Sequence, residues 1–167
     1  MYTCWKDTMQ VFDASSIIYA WDNYPVQQFP GLWEWINARI NDSTIMMPSV
    51  ALGEVHLNSP ECWQWLRDVD LQTHEINNVI LQESLRIKGL LGIVGDKYGG
   101  GVGENDLLII ATASVHGKEL VTDEGWQPLP PKKLENCRMP AVCSLKAVEV
   151  RWISFLNYIK RSEAIFR

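Results

Sequence analysis

The sequence predicts an α/β domain in which a parallel sheet is covered by helices on both faces. Short apolar runs read as buried strands, segments of helical apolar periodicity lie between them, and turn residues mark the joints. Alternation of this kind is the signature of parallel crossover units. With 167 residues, 47% of them apolar and 21% charged, the chain suits one domain (1–167) with a full core.

The elements follow in order. Val11-Phe12 is a buried strand ending at Asp13, and Ser15-Ser16 with Ile17, Ile18, Tyr19 and Trp21 starts a helix. After Pro30-Gly31, the residues Leu32, Trp35, Ile36 and Ile40 form one face of an amphipathic helix. Thr44 to Met47 is the second strand, and Ser49 caps a helix carrying Val50, Leu52, Glu54, Val55 and Leu57. Ser59-Pro60-Glu61 opens another, with proline at the first helical position. The apolar spacing from Ile76 to Leu91 is helical again.

Residues 99–103, rich in glycine, read as a flexible loop at the cleft edge, without the Gly-Lys-Ser/Thr of a nucleotide-cradling loop. Asn105 then stands as N-cap before the apolar run from Leu107 to Val115, which Gly117 stops. Glu119 to Thr122 is the third strand, ending at Asp123. Ala141-Val142-Cys143 reads as the fourth. Leu145, Val148, Trp152, Phe155, Leu156 and Ile159 line a last helix within 144–167.

Composition excludes several classes. No apolar run approaches the roughly 20 residues that cross a bilayer, so no membrane span is expected. The first residues lack a basic region followed by an apolar core, which makes the cytoplasm the default compartment. Cys4, Cys62, Cys137 and Cys143 show no zinc-site spacing and are expected to be reduced, mostly buried thiols. A net charge of -5 taken alone argues against nucleic acid. It is unevenly spread, however: residues 132–167 carry +5 and the first 131 carry -10, so a basic tail could steer a polyanion.

Ligands of open parallel sheets bind beyond the carboxyl ends of the strands. Asp13 and Asp123 follow the first and third strands directly. Glu54 lies one to two turns into the helix after the second, and the glycine loop supplies the reach that brings Asp106 to the same edge. Converging carboxylates repel one another unless cations neutralise them, and Mg2+ or Mn2+ is the natural partner of hard oxygen ligands. Such ions can activate water and stabilise a leaving oxygen. Helix capping is the competing explanation for each acid taken singly.

Val11-Phe12-Asp13-Ala14-Ser15-Ser16, Pro48-Ser49-Val50-Ala51-Leu52-Gly53-Glu54, Gly103-Glu104-Asn105-Asp106 with the helix after it, and Leu120-Val121-Thr122-Asp123 resemble the four motifs of a PIN domain, in order, over about 11–143. The stretch from Asn105 to Asp123 resembles the VapC-type toxins of bacterial toxin–antitoxin systems. Phe29 to Trp35 is similar to an uncharacterised PIN branch often found beside regulatory partners. The resemblance implies a parallel sheet of four or five strands and a Mg2+- or Mn2+-dependent endoribonuclease, the toxin of a type II system. It implies Asp13, Glu54, Asp106 and Asp123 as metal-holding catalytic acids and Ser15 as a hydroxyl that orients the site. Ser16 departs from the asparagine often found there, Thr122 matches a hydroxyl position beside the last acid, and Glu104 is read as a surface acid. The implied partners are an RNA substrate and an antitoxin protein whose arginine or lysine reaches into the cleft; a homodimer is compatible with the family. The alternative is a PIN-like interaction module without catalysis, binding RNA or a regulatory protein.

His56, His74 and His116 are isolated, and no Ser/His/Asp or Cys/His arrangement stands out. Eight tryptophans are many for this length. Trp33 with Trp35, and Trp63 with Trp65, fall on different helix faces, so some are expected at the surface. Core packing ranks first as their role, a partner surface second and base stacking third.

Overall fold

The computed structural model describes residues 9–167. Cys4 and the N-terminal segment read above lie outside the described residues. The element order is β1 (Gln10–Phe12), α1 (Ala14–Asn23), α2 (Pro30–Asn41), β2 (Ile45–Pro48), α3 (Ser49–Asn58), α4 (Pro60–Asp68), β3 (Thr73–His74), α5 (Asn78–Leu90), α6 (Glu104–His116), β4 (Glu119–Val121), α7 (Met139–Cys143), β5 (Trp152–Ile153) and α8 (Phe155–Ser162). The five strands pair in parallel in the order β3-β2-β1-β4-β5.

β1, β2 and β4 are buried along their whole length, which is why Val11-Phe12, Ile45-Met46-Met47 and Leu120-Val121 read as short apolar runs rather than alternating ones. α6 is the central helix. Leu107, Ile109, Ile110, Ala111 and Ala113 are all buried as it packs on α5, α3, α7 and the sheet. Burying each large aliphatic side chain there contributes roughly 1.5–3 kcal/mol. Gly117 ends the helix in the left-handed region at φ 60, the conformation glycine adopts without a Cβ penalty.

The C-terminal part differs from the sequence reading. Ala141-Val142-Cys143 belongs to α7, not to a strand: Pro140 sits in the first turn of a five-residue buried helix. Residues 144–167 are not one helix. Glu149 adopts φ 49, the chain turns back so that the Val150 N–H donates to the Cys143 carbonyl, and β5 then adds to the sheet beside β4 before α8 begins. The two-residue β3 was also not anticipated; it pairs Thr73 with Met47 and His74 with Pro48.

Gly103, not Asn105, is the N-cap residue of α6. The glycine loop is docked rather than loose. Gly100 N–H donates to Asn136 Oδ1 at 2.8 Å and Val102 N–H to the Cys137 carbonyl at 2.9 Å. A Cβ on Gly101 would sit 2.1 Å from the Cys137 oxygen, so the absent side chain permits a close backbone approach. Cys62, Cys137 and Cys143 are free and buried, and burial pushes the Cys62 and Cys143 thiols up to about 12. Among the described residues no helix is long and apolar enough to cross a membrane.

Trp33 is buried, with Trp21 and Trp65 edge-on against it and its indole N–H donating to the Tyr24 carbonyl. Trp35 packs on Tyr158 and Phe166, and Trp63 stacks on His56. Core packing therefore accounts for most of the described tryptophans. Trp126 is the clear exception, half exposed.

Candidate functional site

The carboxyl edge of the sheet is built by four chain segments. β1 delivers Asp13, which also precedes α1, and the Asp13 N–H donates to the Val121 carbonyl, tying it to β4. β2 runs directly into α3, which carries Glu54. Helices of such a sheet run antiparallel to its strands, so α6 begins at this edge by default and presents Asp106 in its first turn. The glycine loop is therefore not what orients that helix.

Asp13 is 1% exposed and held by two hydroxyls. Ser15 Oγ donates to Asp13 Oδ2 at 2.5 Å, and Thr122 Oγ1 donates to the same oxygen at 3.1 Å. Ser15 Oγ in turn accepts the Asp123 N–H at 2.9 Å, linking the ends of β1 and β4. Asn105 Nδ2 donates to Glu54 Oε1 at 3.1 Å, a cross-link between α3 and α6. Asp106 Oδ2 accepts the Gly103 N–H at 2.8 Å, so this carboxylate also caps its own helix.

Electrostatics sorts the acids. Burial raises the Asp13 carboxyl above its ordinary range against the Ser15 and Thr122 hydroxyls, which favour the charged form. Burial likewise raises Glu54, with the Asn105 amide opposing and Asp106 and Asp13 adding repulsion. Asp106 is raised by burial, against the Gly103 N–H, and by Asp13. The sequence reading missed Glu124. Burial, then the negative charges of Asp106 and Asp13, and lastly Glu54, push it from 4.5 up to about 7, against a weak bond from the Met139 N–H.

Burial raises Asp123 as well, against the Ser16 hydroxyl and the Phe155 N–H, and Asp13 adds repulsion; its Oδ2 accepts the Phe155 N–H at 3.1 Å, joining it to the first turn of α8. Glu54, Asp106, Asp123 and Glu124 thus share one charge neighbourhood, each of them feeling Asp13. No periodic signal marked Glu124: β4 ends at Val121 and the chain bends at Glu124, whose N–H donates to Thr122 Oγ1 at 3.3 Å. Glu104 is exposed, as expected.

Among the described residues, no three His, Cys, Asp or Glu side chains converge closely enough to form a metal-chelating group. None of these acids is in an ion pair with another described residue; the described ion pairs are Arg39–Asp42, Arg86–Glu83 and Arg161–Glu119. Hard oxygen donors raised by burial and by their neighbours' charge, with no basic partner among the described residues, suit a divalent cation chemically.

A family model described as "Domain of unknown function (DUF4411)" matches residues 10–166. No curated protein sequence matches the chain. Among solved structures, a chain of the DNA-bound VapBC from Salmonella typhimurium superposes with a TM-score of 0.53 at 18% identity, covering 89% of this chain and 98% of that one. A chain of VapBC2 from Rickettsia felis, bound to a DNA fragment from its promoter, gives 0.52 at 16% identity, covering 88% and 98%. These likenesses support a PIN-like α/β fold.

Proposed function

The chain belongs to the DUF4411 family, whose description assigns no activity, and on that premise we propose that it is a divalent-metal-dependent endoribonuclease, the toxin of a type II toxin–antitoxin pair. The observation that carries this reading is the group of carboxylates on one sheet edge, raised by burial and, for Glu54, Asp106, Asp123 and Glu124, by the charge of Asp13 as well, with no cation paired to them among the described residues.

Asp13, Glu54, Asp106 and Asp123 would hold Mg2+ or Mn2+, with Glu124 beside them. Bound there, the ion supplies water activation and charge stabilisation for phosphodiester hydrolysis. The chain's own part is preorganisation. Ser15 and Thr122 fix the Asp13 carboxylate, Asn105 fixes Glu54, and the Gly103 N–H fixes Asp106, so little reordering is needed when cation and phosphate arrive. Ser15 further ties Asp13 to the backbone after β4, which supports a positioning role for its hydroxyl.

The toxin assignment is supported by the VapBC fold likeness together with the motif resemblance. It entails an antitoxin that covers the acidic edge, with an arginine or lysine among the carboxylates. The interaction-module reading has one observation in its favour: Asp106 caps its own helix and no three acids form a chelating group. Calorimetric titration of Mn2+ separates the two. The nuclease reading expects heat of binding that Asp13→Asn abolishes, and Mn2+-dependent cleavage of single-stranded RNA. Absence of both sinks it.

A further inference from the structure

We propose that Trp126, backed by Trp152 and flanked by Arg138, is a stacking platform that seats one unpaired base of the RNA beside the acid cluster. The inference rests on the ribonuclease reading and deepens it by naming where the strand is held.

Trp126 is 50% exposed and lies two residues beyond Glu124, so chain geometry keeps it within about 7 Å of that residue's backbone. Its ring centroid is 5.5 Å from that of Trp152, at an interplanar angle of 31°. Trp152 is fixed in β5, and its indole N–H donates to Ser144 Oγ at 3.3 Å. One indole is thus supported from behind by a second, anchored one, while half of its own surface stays in solvent. The exposed face of the ring is free to take a second flat partner.

The neighbouring loop brings positive charge to the same place. Gln127 clasps the loop shut, its Nε2 donating to the Asn136 carbonyl and its Oε1 accepting the Arg138 N–H at 2.7 Å. The exposed Arg138 side chain then folds over Gly125, where a Cβ would lie 2.5 Å from Nη1. Gly125 leaves that space open between Glu124 and Trp126. Lys132 and Lys133, both exposed, belong to the same loop.

An exposed indole beside a guanidinium, adjoining a set of carboxylates, fits a flexible polyanion with flat bases. The base stacks on the ring without regard to sequence, and the guanidinium meets a flanking phosphate. A double helix keeps its bases stacked on one another and offers none to the ring, so the platform selects single-stranded segments.

The test uses the full chain in an Asp13→Asn background and short single-stranded oligoribonucleotides, read by fluorescence anisotropy. Trp126→Ala should weaken binding about tenfold or more, the scale of one stacked base, and Trp126→Phe should restore most of it. A single abasic site, scanned along the oligonucleotide, should cost the parent a comparable factor at one position and cost Trp126→Ala nothing there. In the active protein Trp126→Ala should raise KM with little change in kcat. Cleavage by the parent with unchanged affinity and KM in Trp126→Ala overturns the platform and leaves the nuclease reading standing. A parent that neither binds nor cleaves RNA overturns the nuclease reading and the platform with it. Loss of a dimer in sedimentation, with RNA affinity unchanged, assigns the indole to a second copy of the chain and overturns the platform.

Discussion

Replacing Glu124 by glutamine should make the metal-free protein more stable at alkaline pH and leave it unchanged in acid. The reason is linkage. In the folded chain burial and the charges of Asp106, Asp13 and Glu54 move this carboxyl from 4.5 to about 7. The folded state therefore holds its proton more tightly than the unfolded one. Stability is full below 4.5, falls as pH rises between 4.5 and about 7, and is reduced by a constant amount above that. At about 1.4 kcal/mol per unit, the shift corresponds to roughly 3 kcal/mol. Partial exposure of the side chain allows solvent screening, which brings the expected effect to about 1–2 kcal/mol. Glutamine is a neutral isostere whose carbonyl can still accept the Met139 N–H, so it should recover that amount at about pH 8, or about 3–6 °C in Tm for a domain of this size. Urea unfolding with EDTA at about pH 8 and about pH 4 measures it. Added Mg2+ should shrink or reverse the difference, because the cation stabilises only the carboxylate form. A variant no more stable than the parent at about pH 8 in EDTA would refute the account of Glu124 as a member of a mutually repelling set.

Three further outcomes are expected. Asp13→Asn should lower RNA cleavage by at least about a hundredfold with an unchanged circular dichroism spectrum, since the amide oxygen can still accept from Ser15 and Thr122. Gly101→Ala should cost about 2 kcal/mol in denaturant unfolding, because its methyl group would meet the Cys137 carbonyl and push the loop off residues 134–137. Arg161→Ala should cost about 2–3 kcal/mol by the same measurement: it strips the two-pronged partner from Glu119, whose side chain is only 9% exposed in β4, whereas Arg161→Met paired with Glu119→Leu should recover most of the loss.

The fold was most legible where burial dictated residue type. β1, β2 and β4 have both faces covered and show it as short apolar runs, preceded in β1 and β4 by a buried Gln10 and Glu119, and α6 shows it as a helix stopped by glycine. The misreadings fall where two periods coexist. Val148, Val150 and Trp152 alternate as a strand does, yet Val148, Trp152, Phe155, Leu156 and Ile159 also satisfy a helical stripe; Glu149 in the left-handed region decides between them, and no local residue preference announces that conformation for glutamate. Ala141-Val142-Cys143 is buried on all sides, which removes the alternation that distinguishes helix from strand, although Pro140 marked a helix start. β3 is a two-residue edge strand whose members are at least partly exposed, too short for any pattern.

The candidate site was legible through its strand ends and obscure at Glu124, for one physical reason. β4 ends at Val121 and the chain bends at Glu124, whose N–H donates to Thr122 Oγ1, so no strand or helix period places that side chain. Thr122 bonds Asp13, Asp123 accepts from the backbone of α8 and feels Asp13, and Glu124 joins the same charge neighbourhood through Asp106, Asp13 and Glu54. The same stretch carries the chain's change of sign. The strongly acidic first 131 residues end a few positions after Glu124, and the net positive remainder opens with Lys132, Lys133 and Arg138. Because Gln127 clasps the loop back on itself, a charge asymmetry spread along the sequence becomes local, with the Arg138 guanidinium lying over Gly125 between Glu124 and Trp126. Net charge argued against a polyanionic ligand. On the proposed reading its distribution in the fold argues for one, because the carboxylates would take cations to meet a phosphate and the adjoining loop supplies positive charge of its own.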